Sequence, residues 1–74
     1  MISYAPFWNQ LKTKRITTYH LIYGQGISSN TIHRMKQGKD ITTRTINEFC
    51  EILNCQVSDI LTYVKESPAA EEKE

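Results

Sequence analysis

The chain of 74 residues contains only two cysteines, two prolines and three glycines, and it has no long run of apolar residues. Two cysteines are too few for the disulfide framework of a small secreted domain. A membrane helix needs about 20 predominantly apolar residues, and no such stretch is present. The N-terminus also lacks a basic segment followed by an apolar run, so we expect no secretory signal and a cytoplasmic protein.

Patterns that indicate catalysis or metal binding are missing as well. Cys50 and Cys55 do not have CxxC spacing, and Cys50 lies on an apolar helical stripe. We therefore interpret both cysteines as buried free thiols rather than as metal ligands with His20 and His33. The acidic residues outside the C-terminal tail show no paired arrangement for acid–base chemistry; they are Asp40, Glu48, Glu51 and Asp59. We expect no metal, no cofactor and no enzymatic activity.

The charges of the chain are distributed unevenly, although the formal net charge is only +1. Residues 12–44 carry seven lysines and arginines against a single acidic residue, Asp40. A surface of this sign suits a phosphate backbone, while a solvated basic face on an ordinary helical domain is the alternative. Residues 66–74 are acidic and lack large apolar side chains, so we predict a disordered tail after one domain of residues 1–65.

One local pattern recurs three times and marks helix starts. It consists of isoleucine, then serine or threonine, then an aliphatic residue four positions later, and the copies begin at Ile16, Ile27 and Ile41. The hydroxyl accepts a hydrogen bond from a free backbone N–H of the first helical turn. The isoleucine packs on the aliphatic residue as a hydrophobic staple. Since no strand-like alternation competes, the three copies predict an all-α domain.

The apolar spacing and the stop signals predict five helices. Gly26 and Gly38 mark the ends of the second and third helices, because glycine readily adopts a left-handed cap conformation. A core stripe at helical spacing marks the fourth helix; its members are Ile46, Phe49, Cys50 and Leu53. The predicted helices cover about residues 6–15, 17–25, 28–37, 42–53 and 58–64. We expect residues 1–5 to form a short extended arm, with a second protomer as its candidate partner.

The third predicted helix has the two faces that a DNA-reading helix needs. Ile32 and Met35 face inward and hold the helix on the scaffold, with Ile27 at the preceding turn. The outer face carries small or polar side chains that can approach base edges; they are Ser28, Ser29, Asn30, His33, Arg34 and Gln37. Together with the tight turn over residues 26–28, this layout predicts a sequence-specific binder of double-stranded DNA.

The segment from Thr17 to Gly38 resembles the helix-turn-helix of the Cro/CI-type (XRE-like) repressors. The matching features are Thr17, Leu21, the turn Gly26-Ile27-Ser28, Thr31-Ile32, Arg34 and Gly38. The resemblance extends over about residues 5–64 and implies an all-α, five-helix, lambda-repressor-like domain. It also implies a small transcriptional regulator of bacteria or a mobile element. Ile22 departs from the alanine usual in the family, and Thr18 and Ser29 stand where the family often has glutamine.

The resemblance assigns roles to individual residues of the interface. We predict base contacts from Ser29, Asn30, His33 and Arg34, because asparagine pairs with adenine and arginine with guanine. We predict phosphate contacts, which set the register, from Thr17, Thr18, Tyr19, Ser28, Lys36 and Lys39. For Arg34 the alternative is an internal ion pair with Glu48 or Glu51. For Asn30, Lys36 and Lys39 the alternative is an ordinary solvent-facing side chain.

A single small domain makes limited contact with DNA, so we expect a homodimer, completed on the DNA where necessary. Its site would be an imperfect palindrome with half-sites about 34 Å apart. We expect no small-molecule ligand in so small a core. The alternative function is a protein-interaction module that uses the same scaffold, either antitoxin-like or an accessory subunit of a larger protein. The salt dependence of duplex binding separates the two functions.

Overall fold

The computed structural model describes residues 1–65, which form four helices, one 3-10 turn and a two-stranded antiparallel ribbon. The order is β1 (Ile2–Ser3), α1 (Ala5–Lys14), α2 (His20–Gly24), α3 (Ser29–Lys36), α4 (Thr43–Leu53), the 3-10 turn (Val57–Asp59) and β2 (Thr62–Tyr63). The second helix, α2, is π-helical over its range. The predicted acidic tail of residues 66–74 lies outside the described residues.

Three side-chain hydroxyls cap helix starts where the sequence pattern predicts them. The bonds run from His20 N to Thr17 Oγ1 (3.1 Å), from Asn30 N to Ser28 Oγ (3.2 Å) and from Thr45 N to Thr42 Oγ1 (3.2 Å). Each bond satisfies a backbone N–H that has no partner within its own helix. Replacing such a cap by alanine typically costs about 1 kcal/mol, so the three caps fix the helix boundaries locally.

The predicted stop signals also coincide with helix ends. Gly26 follows α2 with a φ of 78°, and Gly38 follows α3 with a φ of 73°. Asn54 ends α4 in the left-handed conformation, with a φ of 50°. The sharp turn at Gly26 lets α2 and α3 leave one another at an angle, as a helix-turn-helix requires.

The apolar faces of the helices meet in one core. Phe7 of α1 and Phe49 of α4 are fully buried, and their ring centroids lie 4.7 Å apart. Leu21 of α2 and Met35 of α3 join them, so every helix contributes to the same cluster. This shared core holds α3 against the scaffold by its inner face alone and leaves its outer face available.

The predicted fifth helix is wrong. Residues 58–64 instead contain the end of the 3-10 turn and the strand β2. The Asp59 carboxylate accepts a hydrogen bond from Gln56 N (3.1 Å), which caps a single short turn. Thr62 and Tyr63 then favour the extended conformation, because β-branched and aromatic residues pack well on a strand. A seven-residue segment is also too short to form a helix without strong tertiary support.

The N-terminal arm forms the strand β1, which pairs with β2 of its own chain. Ile2 faces Tyr63 and Ser3 faces Thr62 in the antiparallel register. Beyond the strands, Val64 N donates to the Met1 carbonyl at 2.7 Å. The domain is therefore mostly helical, as predicted, but it has four helices and a small ribbon in place of five helices. Within residues 1–65, no helix has both the length and the apolar character that crossing a bilayer requires.

Candidate nucleic-acid interface

Helix α3 separates an apolar inner face from a polar outer face. Ile32 and Met35 are 3% and 2% exposed, while Ser29, Asn30 and His33 are exposed. Ser28 precedes the helix in an extended conformation and caps it through its side chain. The outward orientation of the polar face, on which the sequence-based interpretation depends, is therefore confirmed.

The polar side chains in the first turn of α3 have no hydrogen-bond partner within residues 1–65. Within the described chain, the side chains of Ser29 and Asn30 make no hydrogen bond to another residue. The Asn30 amide has two N–H donors and a carbonyl acceptor, which is the set that reads adenine in the major groove. These two side chains can engage a ligand without breaking any contact of the fold.

The last turn of α3 is already engaged in internal contacts. His33 Nε2 lies 3.2 Å from Gln37 Nε2. A similar pair ends α2, where His20 Nε2 lies 3.4 Å from Gln25 Nε2. A glutamine thus orients each imidazole. The sequence-based assignment missed Gln37 as a partner of His33, although the spacing of four residues on one helix face was the available signal.

Arg34 holds the loop that follows α3. Its Nε and Nη2 atoms donate to the backbone oxygen of Asp40 at 3.2 and 3.0 Å. The internal partner of Arg34 in residues 1–65 is thus a carbonyl, in place of the Glu48 or Glu51 carboxylate considered from the sequence. The guanidinium carries five N–H donors, so two donations to Asp40 leave others unused.

Tyr4 holds the same loop through a hydrogen bond to the neighbouring residue, Lys39. Its hydroxyl donates to the Lys39 carbonyl oxygen at 2.7 Å, and its ring is buried. Burial, and next the nearby charge of Asp40, raise the pKa of the Tyr4 hydroxyl above its ordinary value. The loop between α3 and α4 is therefore fixed by two side chains, one from α3 and one from the N-terminal segment.

The candidate phosphate ligands are mostly exposed side chains. Five of them are exposed and Thr18 is half-buried; the exposed five are Thr17, Tyr19, Ser28, Lys36 and Lys39. The hydroxyls of Thr17 and Ser28 accept the capping bonds and keep their own O–H available as a donor. Capping a helix and donating to a phosphate oxygen are therefore compatible roles for these two side chains.

One lysine of the basic segment has a structural role that the sequence did not indicate. Lys14 Nζ donates to the Leu53 carbonyl oxygen at 2.7 Å, at the C-terminal end of α4. A cation at that position satisfies a free carbonyl and interacts favourably with the helix dipole. The positive charge of residues 12–44 is thus divided between holding the fold and facing solvent.

Two exposed tyrosines lie next to one another, one just before α2 and one within it. Tyr19 and Tyr23 are 70% and 74% exposed, and their ring centroids lie 4.7 Å apart. They are separated by one turn, so each ring supports the other in solvent. Tyr19 was predicted as a phosphate ligand, and its exposed hydroxyl has the freedom that this role needs.

The described residues contain no cluster of three or more histidine, cysteine, aspartate or glutamate side chains that could hold a metal ion. Cys50 and Cys55 are free thiols and are half-buried rather than fully buried. They line an open groove of about 710 Å³ between α4 and the 3-10 turn, together with Ile46 and Val57.

A short helix, a tight glycine turn and a second helix with an exposed polar face define a helix-turn-helix protein. Residues 7–66 match the model of the Cro/C1-type HTH DNA-binding domain. Because this match covers most of the chain, the protein belongs to that family of DNA-binding domains.

A solved structure supports the family assignment. The chain is similar to a crystal structure of the transcriptional regulator VanUg, with a TM-score of 0.79 and 25% sequence identity. The superposition covers 88% of this chain and 87% of that chain. No curated protein matches the chain significantly.

Proposed function

We propose that this protein is a sequence-specific transcriptional regulator that places α3 in the major groove of double-stranded DNA. The observation that carries the proposal is the exposed polar face of α3 above the buried Ile32 and Met35. The similarity to the transcriptional regulator VanUg supports a regulatory role. We further propose a cytoplasmic, non-enzymatic protein of a bacterium or a mobile element.

The first turn of α3 supplies the main base contacts in this proposal. Asn30 pairs with adenine through its amide, and Ser29 donates to or accepts from an adjacent base edge. His33, oriented by Gln37, contacts a base further along the helix. Arg34 reaches guanine with the N–H groups that it does not donate to Asp40.

The phosphate contacts lie on both sides of the reading face. Thr17, Thr18 and Tyr19, which precede α2, would hold one stretch of backbone, and Ser28 would hold the phosphate nearest the start of α3. Lys36 and Lys39 follow the reading face and would contact the other side of the groove. Such contacts fix the register of α3 on the duplex and carry no sequence information themselves.

A homodimer completes the proposed complex. A single module of this size buries about 600–1,000 Å² of protein surface on DNA, which is little for a tight specific complex. Two copies on half-sites about 34 Å apart would double the contacts and match an imperfect palindrome. Solution dimerisation is not required, because two copies can associate on adjacent half-sites.

Selection of bound duplexes from a random pool tests the proposal directly. The expected result is a short enriched site with two-fold symmetry. Titration of the selected duplex over a range of salt concentrations should then give a log–log slope of about −4 to −5 per protomer, from four to six phosphate contacts. Absence of enrichment, together with no duplex binding at low salt, would indicate the protein-interaction module instead.

A further inference from the structure

The two cysteines of the chain lie at the two ends of one backbone hydrogen bond. Cys50 is in the last turn of α4, and Cys55 follows the helix directly after Asn54. The N–H group of Cys55 donates to the carbonyl oxygen of Cys50 at 3.1 Å. Both thiols are free and half-buried.

The helix cap brings the two side chains to the same side of the backbone. Asn54 adopts the left-handed conformation, with φ 50° and ψ 57°. The bond from Cys55 N to Cys50 O then spans six residues, as in a Schellman motif, where the two outer side chains contact one another. The two residues also line the same groove.

The two residues are held close together at the helix end. The backbone bond joins them, both line one groove, and their thiols interact through a side-chain hydrogen bond. Disulfides form across Cα separations of about 4.4–6.8 Å. A pair held in contact in this way is a candidate for an intramolecular disulfide.

We propose that Cys50 and Cys55 form a redox-modification site, at which exchange with a low-molecular-weight disulfide such as oxidised glutathione produces an intramolecular disulfide. In the first step, one cysteine thiolate attacks the external disulfide, forms a mixed disulfide and releases one molecule of reduced glutathione. In the second step, the other cysteine attacks the mixed disulfide at the protein sulfur and releases the second molecule. Two protein protons are transferred to the two glutathione thiolates, and the external disulfide receives the two electrons.

The surroundings of Cys50 affect its reactivity. Burial, and next the proximity of Cys55, raise the pKa of the Cys50 thiol above its ordinary value. Since the thiolate is the nucleophile, the ring-closing step depends on the closeness of the two sulfurs rather than on a lowered pKa.

The disulfide would add a covalent bond across the C-terminal cap of α4. It would join the last turn of the helix to Cys55, and hence to the segment that leads into the 3-10 turn and the buried Ile60. A cross-link that matches native geometry stabilises the folded protein, so oxidation should raise its melting temperature. This inference is independent of DNA binding, because neither cysteine is among the proposed contact residues.

Incubation of the reduced protein with oxidised glutathione, followed by intact-mass measurement and peptide mapping, tests the proposal. The expected product is a monomer that has lost two hydrogen atoms, carries no glutathione and links residues 50 and 55. The rate should not depend on protein concentration, and the melting temperature should rise. Stable glutathione adducts on both cysteines, a disulfide-linked dimer, a lack of reaction or a lower melting temperature would overturn the proposal.

Single-cysteine variants provide the matched controls. Cys50→Ser and Cys55→Ser should each retain one glutathione, because the ring-closing thiol is missing. Circular dichroism establishes that each variant is folded, and Cys50→Ala replaces Cys50→Ser where the hydroxyl disturbs the core. If a folded single-cysteine variant loses its adduct as fast as the native protein does, an intramolecular second step is excluded.

Discussion

The first and last turns of α3 (Ser29–Lys36) differ in how their polar side chains are used. In the first turn, Ser29 and Asn30 project into solvent with no side-chain hydrogen bond to the rest of residues 1–65. In the last turn, His33 contacts Gln37 and Arg34 donates to the Asp40 carbonyl. One helix therefore combines side chains that are free with side chains that are already ordered.

The two turns are therefore suited to different roles: the first to recognition of bases and the last to positioning of the helix. A free side chain keeps its full hydrogen-bonding capacity for a ligand, but it loses rotamer entropy when it binds, at about 0.5–1.5 kcal/mol per side chain. An ordered side chain loses less entropy but shares its donors with the fold. We infer that Ser29 and Asn30 carry most of the sequence discrimination, while Arg34 mainly fixes the position of the helix relative to the following loop.

Asn30→Ala should produce the largest loss of sequence discrimination. A bidentate amide–adenine contact contributes about 1–3 kcal/mol, so preference should relax by that amount at one base pair of the site. The thermal stability should stay unchanged because the Asn30 side chain has no internal partner. Competition binding with single-base variants of the selected duplex measures the discrimination, and calorimetry measures the stability.

Asn9→Ala is the matched control for this variant. Asn9 is an exposed asparagine on α1 (Ala5–Lys14) and lies outside the proposed interface. Its replacement should alter neither discrimination nor affinity. Equal weakening of all duplexes by Asn30→Ala would show that the residue contacts a phosphate, and our orientation of α3 would then be wrong.

Arg34→Ala should affect stability and discrimination together, each by about 1 kcal/mol. The variant removes two donations to the Asp40 carbonyl, and the exposed location of this contact limits its net contribution. For a domain of this size, a loss of about 1 kcal/mol lowers the melting temperature by about 4–8 °C. Calorimetry and competition binding on the same samples measure the two effects.

Arg34→Lys sharpens the distinction between the two roles. Lysine keeps the charge but lacks the planar fork that donates twice to one oxygen. We expect it to restore part of the DNA affinity and little of the lost stability. A full loss of discrimination without any change in melting temperature would mean that the Asp40 contact is dispensable and that Arg34 belongs with the free side chains.

The helix boundaries could be predicted because their determinants are local. Each hydroxyl cap bonds to a backbone N–H two or three residues away, as Ser28 does with Asn30, so the pattern is visible in a short stretch of sequence. The faces of α3 follow from the helical period, which places Ile32 and Met35 on one side. Local spacing therefore predicted both the helix-turn-helix and its outward face.

The ribbon and the loop contacts could not be predicted because their determinants are distant in sequence. Ile2 pairs with Tyr63, and a strand of two residues is too short for its sequence to indicate this partner. Tyr4 and Arg34 donate to backbone oxygens, and a carbonyl acceptor has no residue-type signature. For the same reason, the sequence does not indicate that Lys14 bonds to a carbonyl of α4 (Thr43–Leu53).

Tyr4→Phe should lower the free energy of unfolding by about 1 kcal/mol, because the hydroxyl that holds the Lys39 carbonyl is lost. This loss of unfolding free energy depends on pH. The pKa of Tyr4 is raised in the folded protein from 10.0, so above that pH the unfolded chain loses this proton first. The contribution of Tyr4 is therefore complete below about pH 10 and is lost as pH rises through the folded-state pKa.

Urea unfolding of the native protein and of Tyr4→Phe at about pH 8 and about pH 11 measures this dependence. The difference in unfolding free energy should be largest at the lower pH and should shrink at the higher pH. Tyr63→Phe is the control, since Tyr63 is 68% exposed and its hydroxyl is not part of the loop contact. A difference that stays constant with pH would exclude the raised pKa as its cause.

Lys36→Ala should have the smallest effect, because it removes one of several phosphate contacts. The magnitude of the log–log salt slope should fall by about 0.9, and all duplexes should be weakened alike. Lys14→Ala is its counterpart, since Lys14 donates to the Leu53 carbonyl, whereas within residues 1–65 the Lys36 ammonium makes no hydrogen bond or ion pair. We expect Lys14→Ala to lower the melting temperature and to leave the slope unchanged. If both variants change the slope equally, Lys14 and Lys36 contribute alike to the attraction of DNA. The distinction between structural and DNA-facing cations would then be wrong.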